Sequence, residues 1–219
     1  TGTATAANTA YASSGITGLG NEAVIISDTT LAAATLNTLD GNTSGTINAA
    51  TVTTITGTVS ELGTVYASSG ITGLGDEAIT VSAGSASASA ADLNTIDAAT
   101  TGLVTATAVT SLTGTTAELI SLINNEGSSG NKVNLDGDFT VTITDAPTDA
   151  QLAIIDAATT GTITIGGGGG PEGSVTASYL NTLDSNTSGT VDASVVTTIT
   201  GTAAEANTAY ASSGISGLG

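Results

Sequence analysis

Two kinds of segment alternate along the chain, and each has its own spacing of apolar side chains. In the first kind, apolar residues recur three positions apart, as at Leu93 and Ile96. These segments begin after Ser, Thr or Asp and end at Gly, which predicts short helices with N-caps at residues such as Thr116 and Asp149. The second kind is rich in Val, Ile and Thr and bounded by Gly, which predicts strands.

The helical segments are copies of one unit. Four copies read LNTLDGNTSG or a variant of it and carry an aspartate at one position; these aspartates are Asp40, Asp97, Asp156 and Asp184. Three copies read NTAYASSG or a variant and carry a tyrosine in that place; these tyrosines are Tyr11, Tyr66 and Tyr210. We call them Asp-type and Tyr-type repeats. With a diverged copy ending at Gly130, they recur about every 28 residues, a period typical of solenoids.

One unit is therefore predicted to be a strand, a turn, a short helix and a glycine turn. Stacked in register, such units give a parallel sheet on one side and a layer of helices on the other, and each unit buries its apolar residues against its neighbours. This predicts an α/β solenoid over residues 1–219, one continuous segment that we expect to be an internal piece of a longer chain. The alternative is an all-β parallel β-helix, because Thr is a mediocre helix former.

Two small-residue runs interrupt the repeats. The run from Gly166 to Pro171 and the SAGSASASA run around Ser85 both predict loops.

The composition narrows the function classes. Lys132 is the single basic residue against 19 acidic ones, and the net charge of −18 argues against a nucleic-acid partner. No apolar run approaches the roughly 20 residues of a membrane span. The absence of His and Cys excludes Ser–His and Cys–His catalysis. Because the acidic residues recur once per repeat and do not converge on one cleft, we expect no enzyme.

One short cluster suggests a metal. Asn134, Asp136 and Asp138 place an amide and two carboxylates around Gly137. Oxygen ligands of this kind suit calcium, so we predict a possible calcium site here and no other cofactor. A polar turn is the alternative interpretation of the same residues.

The two residue types that mark the repeats also require an explanation. The recurrent aspartates lie near the predicted helix C-termini, where a carboxylate opposes the helix dipole at a cost of about 0.3–1 kcal/mol. A hydrogen bond to the following turn or a bound cation would offset that cost. The tyrosines either form a contact stripe for a neighbouring rod or a glycan, or cover the edge of a repeat.

The repeats also resemble those of a known group of proteins. The runs LNTLDGNTSGTINAATVTTITGT, YASSGITGLGNEAV and LNTIDAATTG are similar to repeats of very large, low-complexity cell-surface proteins of marine cyanobacteria and similar bacteria. The similarity covers nearly all of the chain except about residues 124–147. It implies an extracellular location and a structural role, and it transfers no functional residues.

Together these observations predict a non-catalytic extracellular structural protein that self-associates into a fibre, filament or surface layer. The alternative is an adhesin stalk or a glycan-binding rod on the cell surface.

Overall fold

The computed structural model describes residues 1–145, 147–165, 174–186, 189–194 and 196–219. Over these residues, eight helices alternate with short strands, and every strand pair is parallel. The mixed α/β class predicted from the sequence is confirmed, and the all-β alternative is wrong. The glycine run from Gly166 to Pro171 lies outside the described residues.

The helices are α1 (Ala4–Tyr11), α2 (Ala33–Asn42), α3 (Val59–Ala67), α4 (Ala90–Ala99), α5 (Thr116–Asn124), α6 (Asp149–Ala158), α7 (Ala177–Asn186) and α8 (Ala203–Ala211). The strands are β1 (Val24–Ile25), β2 (Thr30–Ala32), β3 (Ile47–Asn48), β4 (Thr54–Gly57), β5 (Ile71–Thr72), β6 (Ala78–Val81), β7 (Ser87–Ser89), β8 (Val104–Thr105), β9 (Ser111–Gly114), β10 (Val133–Asn134), β11 (Thr140–Ile143), β12 (Ile163–Ile165), β13 (Ser174–Thr176), β14 (Val191–Asp192), β15 (Thr198–Thr200) and β16 (Ile215–Ser216).

The chain forms two compact units. The first comprises Thr1–Ser85, Asp92–Ala108 and Glu126–Asn134, and it contains the sheets β1-β3-β5 and β10-β8-β6-β4-β2. The second comprises Ala86–Ala91, Val109–Asn125 and Leu135–Gly219, and it contains the sheet β16-β14-β12-β11-β9-β7 and the pair β13-β15. The single continuous segment expected from the sequence stays a prediction.

Between most neighbouring helices the chain forms two short strands where the sequence predicted one. Between α2 and α3 the chain forms β3 and β4, because it turns between them: Asn48 Oδ1 accepts the N–H of Ala50, and Val52 N–H donates to Ala49 O. The SAGSASASA run was predicted to be a loop. It forms a short 3-10 turn, Ala83–Ser85, followed by β7.

The core consists of thin aliphatic layers. In the five-stranded sheet of the first unit, the partners in register are buried; they are Leu31, Ile55, Ile79, Val104 and Val133. Apolar helix residues three positions apart, such as Leu36 and Leu39, are buried as well. Alternate strand residues such as Thr80 face outward, which is the period-two pattern of a strand with one solvated face.

Threonines cap several of the helices, and the sequence analysis placed two of these caps one residue too late. The predicted N-caps Thr116 and Asp149 are the first helical residues, and the caps are Thr115 and Thr148. The Thr115 hydroxyl accepts the N–H of Glu118 while the Glu118 carboxylate accepts the N–H of Thr115. This reciprocal capping box recurs in α3, α6 and α8, so the pattern Thr-x-x-Glu/Gln was the readable signal.

Some strands have two different kinds of neighbour in the sheet. One neighbouring strand comes before a helix in the chain, and the other comes after a helix. In the first unit β6 lies between β4 and β8, and in the second unit β11 lies between β9 and β12. Glu77 comes directly before β6, and Phe139 comes directly before β11. These two residues therefore hold equivalent places in their repeats.

Candidate functional site

A buried carboxylate lies at the centre of the third repeat. Glu77 is 0 % exposed, and among the described residues it is the one charged side chain in the buried class. It accepts a hydrogen bond from the Tyr66 hydroxyl at 2.9 Å and one from the N–H of Gly75 at 2.7 Å. Gly73 and Gly75 have φ of +83° and +139°, so this turn requires glycine at both positions.

The first repeat contains the same arrangement. The Tyr11 hydroxyl donates to Glu22 at 3.2 Å, and Gly20 N–H donates to the same carboxylate at 2.8 Å. In both pairs the tyrosine precedes the glutamate by 11 residues. In the sequence, Asn21-Glu22 and Asp76-Glu77 recur after Gly-Leu-Gly, which predicts turn residues at the edge of the rod; their pairing with the tyrosines was not predicted.

The pKa of Tyr66 and the pKa of Glu22 are shifted in these pairs. Burial raises the pKa of the Tyr66 hydroxyl, and the charge of Glu77 acts in the same direction. The hydrogen bond from Gly20 N–H lowers the pKa of Glu22, and the Tyr11 hydroxyl adds to the effect. These hydroxyls are bound within their own repeats, whereas Tyr210, in α8, is 59 % exposed.

A threonine joins each of these turns to the next repeat. The Thr100 hydroxyl donates to Glu77 O at 2.7 Å and accepts the N–H of Gly102 at 3.0 Å. The equivalent contacts elsewhere are Thr43 to Glu22 O and Thr159 to Phe139 O. Gly102 is required because a Cβ there would lie 2.2 Å from Glu77 O.

The recurrent aspartates take part in a second link between repeats. The Ser68 hydroxyl donates to Asp40 at 2.8 Å, and the Ser212 hydroxyl donates to Asp184 at 2.6 Å, each across 28 residues. Each of these hydroxyls also accepts an N–H, from Gly70 and Gly214 respectively. A carboxylate at a helix C-terminus is thus satisfied by the following Tyr-type repeat. The other two aspartates, Asp97 and Asp156, are half-buried in α4 and α6.

Asparagines link neighbouring helices. Asn8 Nδ2 donates to Thr35 O at 3.0 Å, Asn37 Nδ2 to Glu61 O at 2.9 Å, and Asn181 Nδ2 to Glu205 O at 2.9 Å. In each case the acceptor is the third residue of the next helix. The asparagine of the Asn-Thr pair that marks the repeats therefore makes a helix-to-helix contact, which the sequence analysis did not assign.

The predicted calcium residues lie at a different kind of turn. Asn134 belongs to β10 in the first unit, whereas Asp136 and Asp138 belong to the second unit. Asp136 accepts the N–H of the adjacent Gly137 at 2.9 Å, and Asp138 is exposed. Over the part of the chain that the structure describes, no group of three or more His, Cys, Asp or Glu is placed to hold a metal ion. Calcium binding stays a prediction.

Comparison of the chain with protein-family models, with curated proteins and with solved structures found no match. Within the described ranges, no helix has the length and apolar character needed to cross a membrane.

Proposed function

We propose that this chain is a non-catalytic extracellular structural protein whose repeats stack as a strand–helix solenoid and build a fibre, filament or surface layer. The observation that carries the proposal is that the residues marking the repeats are used in links between repeats. Thr100 donates to the backbone of the preceding Tyr-type repeat, Ser68 to the aspartate of the preceding Asp-type repeat, and Asn37 to the next helix.

Such links support a structural role because they are directional and repeat at regular offsets. Parallel pairs such as Ile55 with Ile79 join a repeat to the next through backbone hydrogen bonds. The side-chain links add contacts that only a neighbouring repeat of the right kind can supply. In a protein built this way, the polar side chains that mark the repeats bind neighbouring repeats. Further repeats can be added through the same contacts.

Negative-stain electron microscopy with and without a calcium chelator tests the proposal. Uniform fibres that survive chelation are the expected result, since the links seen here need no ion. Fibres that dissolve would support the filament while making cations part of it. Dispersed single particles in both samples would contradict the proposal. A double variant, Asp40→Ala with Asp184→Ala, should shorten the fibres, whereas Asp138→Ala, at an exposed position, should leave them unchanged.

A glycan-binding rod is the second candidate, and one surface favours it. Between α1 and α2 lies an open groove of about 440 Å³, lined by threonine, asparagine and alanine side chains; they are Thr5, Asn8, Thr9, Ala12, Ala34, Thr35 and Thr38. Glycan-array binding that is lost in Thr38→Lys and kept in Tyr210→Ala would place the ligand in this groove. Loss in Tyr210→Ala alone would instead favour the exposed tyrosine.

A further inference from the structure

Three threonines lie side by side on the outer face of the five-stranded sheet in the first unit. Thr56 pairs with Thr80, and Thr80 pairs with Thr105, in parallel register. Thr80 is exposed and the other two are half-buried, while the apolar residue before each of them is buried. The second unit contains a similar row of half-buried threonines in parallel register; they are Thr113, Thr142 and Thr164. We call these two rows the threonine ladders.

Each ladder lies in the interior of its sheet. The strands of the first ladder are flanked by β2 and β10, and those of the second by β7 and β14. The exposure of the ladder threonines is therefore that of an outer sheet face, and it does not depend on a missing neighbouring strand.

The ladder hydroxyls are not used inside the fold. Over the described ranges, none of them forms a hydrogen bond with the rest of the protein. Other threonine hydroxyls of the first unit are used: Thr64 donates to Ser60 O at 2.9 Å, and Thr53 donates to Thr29 O at 3.0 Å. The ladder hydroxyls therefore keep their capacity to donate and accept hydrogen bonds for a molecule outside the chain.

The face around the first ladder is neutral, although the chain has 19 acidic residues. The outward-facing residues of β2, β4, β6 and β8 are small and uncharged; they are Thr30, Ala32, Thr54, Thr56, Ala78, Thr80 and Thr105. A neutral partner matches this face in charge, whereas a cation would be attracted to the acidic parts of the surface. These strands also present no aromatic ring against which a sugar could pack.

The spacing of the side chains narrows the choice among neutral partners. Neighbouring strands place ladder residues about 4.8 Å apart, and alternate residues of one strand, such as Thr54 and Thr56, lie about 6.7 Å apart. The outer face therefore presents hydroxyl and methyl groups on a rectangular net. The oxygen atoms on a prism face of ordinary ice form a rectangular net of similar dimensions.

We propose that the outer face of this sheet is an ice-binding surface. The hydroxyls of Thr56, Thr80 and Thr105 form hydrogen bonds with water at the crystal surface, and the methyl groups fill the spaces in that layer of water. Strand pairing fixes the distances between these side chains, and a β-branched side chain has few rotamers to lose on binding. The inference goes beyond the proposed structural function and does not depend on it.

Uptake of the whole chain into a slowly growing ice crystal tests the proposal, together with thermal hysteresis, the gap between the melting and freezing temperatures. We expect the chain to enter the ice in preference to a dissolved protein without ice affinity, and to lower the freezing temperature below the melting temperature. Thr80→Tyr should reduce both effects severalfold, because a ring at the centre of the ladder holds the face away from the crystal. Tyrosine is favoured in strands, so the sheet should still form.

The matched control is Thr64→Tyr. Thr64 is exposed on α3, and its hydroxyl is bound within that helix, so this variant should bind ice as the wild type does. If Thr80→Tyr lowers the denaturation midpoint, Thr56→Tyr obstructs the same ladder at a second position and should give the same loss.

A chain that is excluded from ice, or equal losses in the Thr80 and Thr64 variants, would overturn the ice-binding surface. Glycan-array binding that is lost in Thr80→Tyr, without uptake into ice, would assign the face to a sugar instead. Fibres are scored separately by electron microscopy. Fibres that survive chelation, from a chain that ice excludes, would leave the structural function in place and reject ice binding.

Discussion

Glu77 and Phe139 occupy the same place in their repeats, one in each unit, and both side chains are 0 % exposed. Both backbone carbonyl oxygens accept a hydrogen bond from a threonine hydroxyl of the next repeat. The donor is Thr100 for Glu77 and Thr159 for Phe139. The backbone contact is thus the same in the two turns, while one side chain is a carboxylate and the other an aromatic ring.

The partner position changes together with this residue. Tyr66 is the eighth residue of α3 and binds Glu77, and the eighth residue of α5 is Ile123. Where the buried residue is polar, its partner is a hydroxyl, and where it is aromatic, the corresponding position is aliphatic. The comparison indicates that these two positions accept either two polar side chains or two apolar ones, provided that both members of the pair are of the same kind.

Replacing Phe139 with Glu should have the largest effect. The variant buries a carboxylate without the tyrosine that serves Glu77, so we expect the free energy of unfolding of the second unit to fall by about 4 kcal/mol or more. Urea denaturation followed by circular dichroism measures it. Adding Ile123→Tyr should recover about 1–3 kcal/mol by restoring a donor. A double variant no more stable than the single one would show that the two positions are not a matched set.

Replacing the glycine that lies against each of these two turns with alanine should have the next largest effect on stability. In Gly102→Ala the Cβ would lie 2.2 Å from Glu77 O, and in Gly161→Ala 2.3 Å from Phe139 O. We expect each to lower stability by about 3 kcal/mol, because backbone must move to accept it. Gly63→Ala, in α3 with open space around it, should be neutral or stabilising. Clearly unequal losses at the two turns would mean that their backbone contacts differ.

Tyr66→Phe should lower stability by about 2 kcal/mol, since it removes a donor from a buried carboxylate. Tyr210→Phe is the control, because its side chain is largely exposed, and its denaturation midpoint should not change. A neutral result for Tyr66→Phe would show that Glu77 needs only the N–H groups of its turn.

Because the same hydroxyl is partly buried, we expect the stability of the fold to depend on pH in the alkaline range. The pKa of Tyr66 is raised above the ordinary value of 10.0 in the fold, so above that pH the unfolded chain releases a proton that the folded chain retains. The stabilisation is fully present below pH 10 and is lost as the pH rises. Denaturation midpoints between about pH 8 and 12 should fall less steeply in Tyr66→Phe than in the wild type. Equal slopes would contradict this assignment.

Ser68→Ala should have the smallest effect, about 1 kcal/mol, because its bond to Asp40 is only partly buried. A double-mutant cycle with Asp40→Ala isolates the coupling between the two side chains. Additive losses would show that the aspartate does not depend on this hydroxyl.

The repeats could be predicted from the sequence because their signals are local. Apolar spacing and capping residues such as Thr58 and Glu61 define helices within a few residues of chain. The second strand that lies between most neighbouring helices could not be predicted this way. Residues 46–58 form one continuous Thr-rich run, and the turn within it depends on the side chain of Asn48.

The links between repeats were harder to predict because they join residues far apart in sequence. Asp40 was singled out as a carboxylate needing a partner, but the partner, Ser68, lies 28 residues away. The tyrosines attracted attention as a surface feature, and the burial of Glu77 beside Tyr66 follows only from the packing of neighbouring repeats. Recurrence marked the important positions without showing what each one contacts.

The alternation of the two repeat types also bears on inheritance. A gene of this kind changes length when its copies misalign and a stretch is duplicated or deleted. Removing one repeat would set two repeats of the same type side by side, so that a serine equivalent to Ser68 faces a tyrosine in place of Asp40. Within the first four repeats, where the two types alternate, removing two neighbouring repeats would keep the remaining pairs. Length changes in steps of two repeats therefore preserve the contacts between neighbours there. The one place where two Asp-type repeats follow each other, between Asp156 and Asp184, is also where the sequence carries its glycine run.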